Sequence, residues 1–156
     1  MKGTRKVLDA LNDILTAALT GINQYFVHAK MCRNWGFERL AHEVYEESIG
    51  EMKHASELVD RILFLEGVPN LQKLDKIRVG ESVPEQFKSD LALEKSAIVR
   101  LNKAITLCHT EGDAGSREIL EHILTSEEKH LDWVEIQLGL IERLGAAAYL
   151  AEQLRK

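Results

Sequence analysis

Two short runs pair a carboxylate with an imidazole three residues later, Glu51-Met52-Lys53-His54 and Glu127-Glu128-Lys129-His130. On an α-helix this spacing brings both groups to one face, a turn apart. The pair alone is a weak signal, because glutamate is abundant in this chain. The setting of the pair is more informative. Laid out at steps of three and four, the apolar series Leu40, Val44, Glu47, Glu51, His54, Leu58, Ile62, Leu65 is interrupted in its middle by polar residues. The series Phe87, Leu91, Glu94, Ile98, Leu101, Ile105, Cys108 is interrupted at Glu94, and Leu120, Ile123, Glu127, His130, Val134, Leu138, Ile141 at Glu127 and His130. No Lys or Arg lies on these stripes. Burying unpaired carboxylates costs several kcal/mol each, and Glu51, Glu94 and Glu127 together would consume most of a typical stability of about 5–15 kcal/mol. Shared protons, internal water or bound cations must therefore neutralise them. Carboxylates and imidazoles without a thiolate suit iron, manganese or zinc better than calcium or magnesium, and argue against a structural zinc. A hydrogen-bonded polar layer without metal is the alternative.

Met52 follows Glu51 and so points about 100° around the helix, away from the interior. Tyr45, Ile49 and Met52 form a second apolar stripe there, and Leu19, Asn23 and Phe26 do the same on the preceding helix. An exposed patch of this kind marks an interface. A symmetric dimer across it would bring two copies of Met52 together, and a thioether is a competent axial ligand for haem iron. The other reading is a methionine that fills a protein–protein interface.

The elements that must position these groups are helices. The only prolines, Pro69 and Pro84, bracket the one stretch without helical periodicity. Helical spacing runs from about Val7 to Cys32 and from about Leu40 to Leu65, separated by Asn34-Trp35-Gly36. It resumes from Phe87 to Cys108 and from Ile119 to Ile141, separated by Glu111-Gly112-Asp113-Ala114-Gly115, with Ser82 and Glu85 spaced as a capping box. Gly145 is placed to stop the fourth helix in a left-handed cap, before a short segment Ala146 to Leu154. Helices of about 25–30 residues, hence about 40 Å long, suit a bundle. Short loop, long connection, short loop predicts an all-α four-helix bundle with one long crossover over 67–82 and a short fifth C-terminal helix.

The 156 residues, 45% hydrophobic and 29% charged, predict a single domain over 1–156. A net charge of -5 without a basic stripe speaks against nucleic acid as a partner. Cys32 and Cys108 are too few and too far apart for a disulfide framework, which favours a reducing cytoplasm. Met1 to Asp9 lack an apolar export core, and no run approaches the about 18 apolar residues of a membrane span.

Six runs carry a further signal: Ile22-Asn23-Gln24-Tyr25-Phe26, Asn34-Trp35-Gly36, Glu51-Met52-Lys53-His54, Arg61-Ile62-Leu63-Phe64-Leu65-Glu66-Gly67, Pro69-Asn70-Leu71-Gln72 and His130-Leu131-Asp132-Trp133. With them the chain resembles the bacterioferritins over nearly its whole length. The resemblance implies a ferritin-like bundle that assembles through two-fold dimers into a cage of about two dozen subunits storing iron as a ferric mineral. It further implies that Glu51 and Glu127 bridge two irons, that His54 completes one, and that Glu94 and His130 complete the other. These five residues would then oxidise ferrous iron with dioxygen or peroxide. Met52 matches the ligand of a haem b shared between two subunits, and a ferredoxin-like protein is the implied electron donor.

Departures from the family pattern are equally specific. The family's remaining iron ligand is a glutamate on the first helix, and Ala18 stands at the matching position. The stripe Leu11, Ile14, Ala18, Ile22, Tyr25, Ala29 holds no carboxylate, and neither Ala17 nor Leu19 could replace it. The iron at His54 thus loses a terminal ligand, and binding there should weaken. Glu46 and Gly50 stand where relatives often carry a His and an Asp of an inner-surface iron site. The resulting expectation is a haem-binding cage subunit with an impaired di-iron centre, assembled with a ferroxidase-competent sister subunit. Two alternatives are a fully active homopolymer in which Glu47 or water replaces the missing ligand, and a haem-free protective cage.

Overall fold

A computed structural model describes residues 1–155; Lys156, the last residue of the expected domain, lies outside them. Among the described residues the chain forms α1 (Arg5–Asn34), α2 (Glu38–Phe64), α3 (Val83–Thr110), α4 (Ala114–Leu144) and α5 (Ala146–Ala151), with no strand. This is the expected bundle of four long helices with a long crossover and a short fifth helix. α1 packs chiefly on α2, and α3 on α4. No helix among the described residues is long and apolar enough to cross a membrane.

α1, α3 and α4 begin earlier than their apolar stripes, because polar caps start them. Thr4 Oγ1 accepts from Val7 N, and Asp113 accepts from Ser116 N. Ser82 Oγ accepts from Glu85 N as expected, but Glu85 Oε2 reaches past the cap to accept from Glu81 N at 2.8 Å. α4 therefore starts at Ala114, well before Ile119, and Gly115 lies inside it. A Cβ there would meet Arg61 Nη2 at 2.6 Å, so glycine leaves room for the Arg61–Asp113 ion pair at 2.8 Å. Gly145 does end α4 with positive φ (82°), but its ψ of 150° is extended, so the expected left-handed cap is not formed.

The crossover is fixed by a polar stripe that side-chain periodicity places on α1: Asn12, Thr16, Thr20, Gln24, His28. Asn12 Oδ1 accepts from Asn70 N, Thr20 Oγ1 from Asp75 N, Gln24 Oε1 from Arg78 N and His28 Nε2 from Gly80 N, at 2.8–3.1 Å. The connection thus runs alongside α1 in the same direction, and α3 starts at the end where α2 starts. Arg100 adds an ion pair to both Asp13 and Asp75. His28 is fully buried, and because Nε2 accepts from Gly80 its proton sits on Nδ1, 3.0 Å from Asp90 Oδ1.

Three apolar clusters fill the bundle, the smallest of Tyr25, Ala29 and Val44; the other two are larger. One contains Leu11, Leu15, Leu58, Ile62, Leu101 and Leu120; the other contains Leu40, Val83, Phe87, Val134 and Tyr149. On α2, α3 and α4 the polar intrusions fall between residues of these clusters, so they form one layer at mid-bundle. Cys32 and Cys108 are free and buried, and burial pushes their thiols up to about 12 and about 11.

Candidate metal centre

All five residues expected to hold metal are buried in that layer: Glu51, His54, Glu94, Glu127 and His130 are each no more than 6% exposed. Glu51, His54 and Glu127 offer one donor atom each, all within 4.8 Å of one another. His54 Nδ1 is 3.1 Å from Glu127 Oε1 and 3.5 Å from Glu51 Oε1, yet makes a well-directed hydrogen bond to neither. Across the layer, His130 Nδ1 meets Glu94 Oε1 at 2.9 Å, and the Tyr25 hydroxyl donates to the same oxygen. Glu94 Oε2 has no partner. Two orphaned polar atoms in one buried layer are costly. A divalent cation beside each would satisfy them, and the donor set fits iron, manganese or zinc.

The charges behave as a coupled group. Burial, and then Glu127, push Glu94 up to about 8. Burial and Glu51 push Glu127 up to about 7, with Glu94 and His54 opposing. Burial alone would lower the imidazoles, but Glu127 and Glu51 carry His54 up to about 10, and Glu94 carries His130 up to about 9. Without metal the centre therefore holds protons near neutral pH, and a cation must displace them.

Ala18 is 4% exposed and lines a cavity of about 10 Å³ with Glu51, Glu94 and Glu127. No carboxylate from α1 enters the site. Gly21, a turn further on, also faces it: a Cβ there would stand 3.1 Å from Glu51 Cγ. Glu47 does not face the gap at Ala18. Its Oε2 lies 3.6 Å from His130 Nδ1, on the Glu94 side, and its side chain is 36% exposed. Glu46 is exposed, and a Cβ on Gly50 would meet nothing within 4 Å.

Met52 projects from the opposite face of α2, 53% exposed against 6% for Glu51. Phe26 and Tyr45 are exposed beside it in the fold, their ring centroids 6.5 Å apart, with Leu19 and Ile49 half-buried. Among the described residues Met52, Phe26 and Tyr45 keep a third or more of their surface uncovered. An unencumbered thioether within an apolar band fits a planar apolar group held between two copies.

Three contributors to the site are not singled out by the stripes. Tyr25 reads as one more apolar residue on α1, yet its hydroxyl holds Glu94 and its ring stands edge-on to His130, with centroids 5.1 Å apart. The ring of Trp133 stacks on His130, with centroids 6.1 Å apart. Gly21 signals its role only through the absence of a side chain on a facing position.

The model of the ferritin-like domain matches residues 8–144. A bacterioferritin of Mycobacterium avium is 47% identical over 152 residues, covering 97% of this chain and 96% of the relative. The bacterioferritin of Streptomyces coelicolor is 47% identical over 151 residues, covering 97% and 90%, and that of Rhodobacter capsulatus 45% over 149 residues, covering 96% and 92%. With the bundle, the buried centre and likeness along its whole length in agreement, the chain belongs to the bacterioferritins, within the ferritin-like family.

Proposed function

We propose that this chain is a subunit of an iron-storage cage, that it binds haem b at a two-fold interface, and that its own iron-oxidation centre is weakened. The observation that carries the last point is the pairing of an otherwise complete donor set with a cavity at Ala18. Ferrous ions are the substrate. In this reading Glu51 and Glu127 would bridge the two ions, His54 would serve one, and Glu94 with His130 would serve the other. Three carboxylates against two doubly charged ions leave one more positive charge than a four-carboxylate centre would, which disfavours their further loss of electrons to dioxygen or peroxide. The deficit falls on the His54 side, and Glu47, placed near His130, does not relieve it.

The chain's own groups do the preparatory work. The Tyr25 hydroxyl and His130 hold the Glu94 carboxylate in place, while contacts from the Trp133 and Tyr25 rings fix the imidazole. The protons held by Glu94, Glu127 and the two imidazoles leave as substrate binds. On the outer face, Met52 and its partner copy would ligate the haem, which supplies a one-electron path between a ferredoxin-like donor and stored ferric iron. A cage that also contains a ferroxidase-competent sister subunit would divide the labour: oxidation there, haem-mediated release here. Free, buried cysteines accord with a cytoplasmic setting. A pyridine haemochrome assay tests the haem reading. The wild type should carry one haem per dimer and Met52→Leu none, with unchanged assembly; equal haem in both proteins would overturn it.

A further inference from the structure

We infer that the cavity beside Ala18 is a site for one water molecule, held by Glu94 and standing where a carboxylate from α1 would supply a donor. The inference rests on the reading of Ala18 as a lost ligand position. The cavity measures about 10 Å³, which is the lower bound for a single water and too small for formate or a second water. Its walls are apolar on one side, with Ile14, Ala17 and Ala97, and acidic on the other, with Glu51, Glu94 and Glu127. A buried water needs two to four polar partners, whereas a wholly apolar cavity of this kind stays dry. Here a hydrogen-bonding group is already waiting: Glu94 Oε2 is buried, belongs to a residue 1% exposed, and has no partner within the protein. A water donates one proton to it and has Glu51 or Glu127 as the acceptor for the other.

The consequence is chemical as well as structural. Water offers an oxygen donor among Glu51, Glu94 and Glu127 without the negative charge of glutamate. The centre therefore regains one donor and still lacks charge. That combination accounts for metal binding without efficient oxidation, and separates this chain from a centre that water restores to full activity.

Crystal structures of the metal-free wild type, Ala18→Val and Ala18→Ser test the site directly. The wild type should show a single density peak within hydrogen-bond distance of Glu94 Oε2. That peak should be absent in Ala18→Val and replaced by the serine hydroxyl in Ala18→Ser. Calorimetric titration with zinc, which is redox-silent, should show binding about tenfold weaker in Ala18→Val and within about threefold of wild type in Ala18→Ser. Should valine crowd Glu51, the serine variant still decides. A dry cavity in the wild type, a buffer anion in it, or unchanged zinc affinity in Ala18→Val would each overturn the inference. The metal-free peak does not depend on iron chemistry. An ordered water together with fast iron oxidation would sink the proposed function alone, and a dry cavity with slow oxidation the water alone.

Discussion

Replacing Ala18 with glutamate should lower the stability of the metal-free protein and raise its affinity for metal. The new carboxyl would enter a site that is 4% exposed at Ala18 and already holds Glu51, Glu94 and Glu127 around a cavity of about 10 Å³. An uncompensated buried charge costs about 3–5 kcal/mol, and overfilling a packed interior costs about 1–3 kcal/mol. Glu94 and Glu127 are already pushed up to about 8 and about 7, so the added group would share in this proton uptake and escape part of the charge penalty. A net loss of about 2–4 kcal/mol follows, which in a chain of this size lowers Tm by about 5–15 °C. Zinc reverses the order, since a cation turns the same carboxylate into a ligand. Each tenfold gain in affinity returns about 1.4 kcal/mol at saturating metal. Differential scanning calorimetry at neutral pH, first in chelator and then across a zinc series, measures both halves. If the variant melts at or above wild type in chelator and gains no more than wild type from zinc, the charge reasoning fails.

Other outcomes follow from the same geometry. Glu94, Glu127, His54 and His130 all bind protons more tightly in the folded protein than their ordinary values of 4.5 and 6.5. The folded state thus holds more protons than the unfolded one, and metal-free stability should fall as pH rises: across about 4.5 to 8 for the carboxyls and about 6.5 to 10 for the imidazoles. Thermal melts in chelator over that range check the sign, to which Asp113, held below its ordinary value chiefly by its Ser116 and Arg61 contacts against burial, contributes oppositely only in acid. Zinc binding at neutral pH should release protons, read as a dependence of the calorimetric heat on buffer ionisation enthalpy. His28→Ala strands Gly80 N–H in the interior and leaves Asp90 Oδ1 only its bond from Gln24 Nε2, and should cost about 2–4 kcal/mol in chemical denaturation while leaving zinc affinity within about twofold.

How far the chain could be read without coordinates depended on whether a feature is local. The mid-stripe positions of Glu51, His54, Glu94, Glu127 and His130 depend only on helical periodicity, and each is buried in the layer where the stripes cross. Met52 was legible for the same reason, since one step along a helix separates an inward from an outward residue. Glu47 shares the stripe of Glu51, but periodicity does not tell which imidazole it faces; the bundle sets it beside His130. Tyr25 hides because a ring counts as apolar while its hydroxyl does the work. The path of the crossover is non-local: the polar residues from Asn12 to His28 went unread because their backbone partners lie some fifty residues on. Helix starts were misjudged where caps and glycine, rather than apolar residues, decide them, as at Asp113 and Gly115.

The claim that the chain's oxidation centre is weakened by one missing carboxylate can be tested by stopped-flow absorbance after mixing the metal-free cage with two ferrous ions per subunit in oxygenated buffer. The wild type should lack a rapid phase, and Ala18→Glu should gain one at least about tenfold faster, equivalent to about 1.4 kcal/mol of barrier. A rapid phase in the wild type matching that of Ala18→Glu would contradict the account.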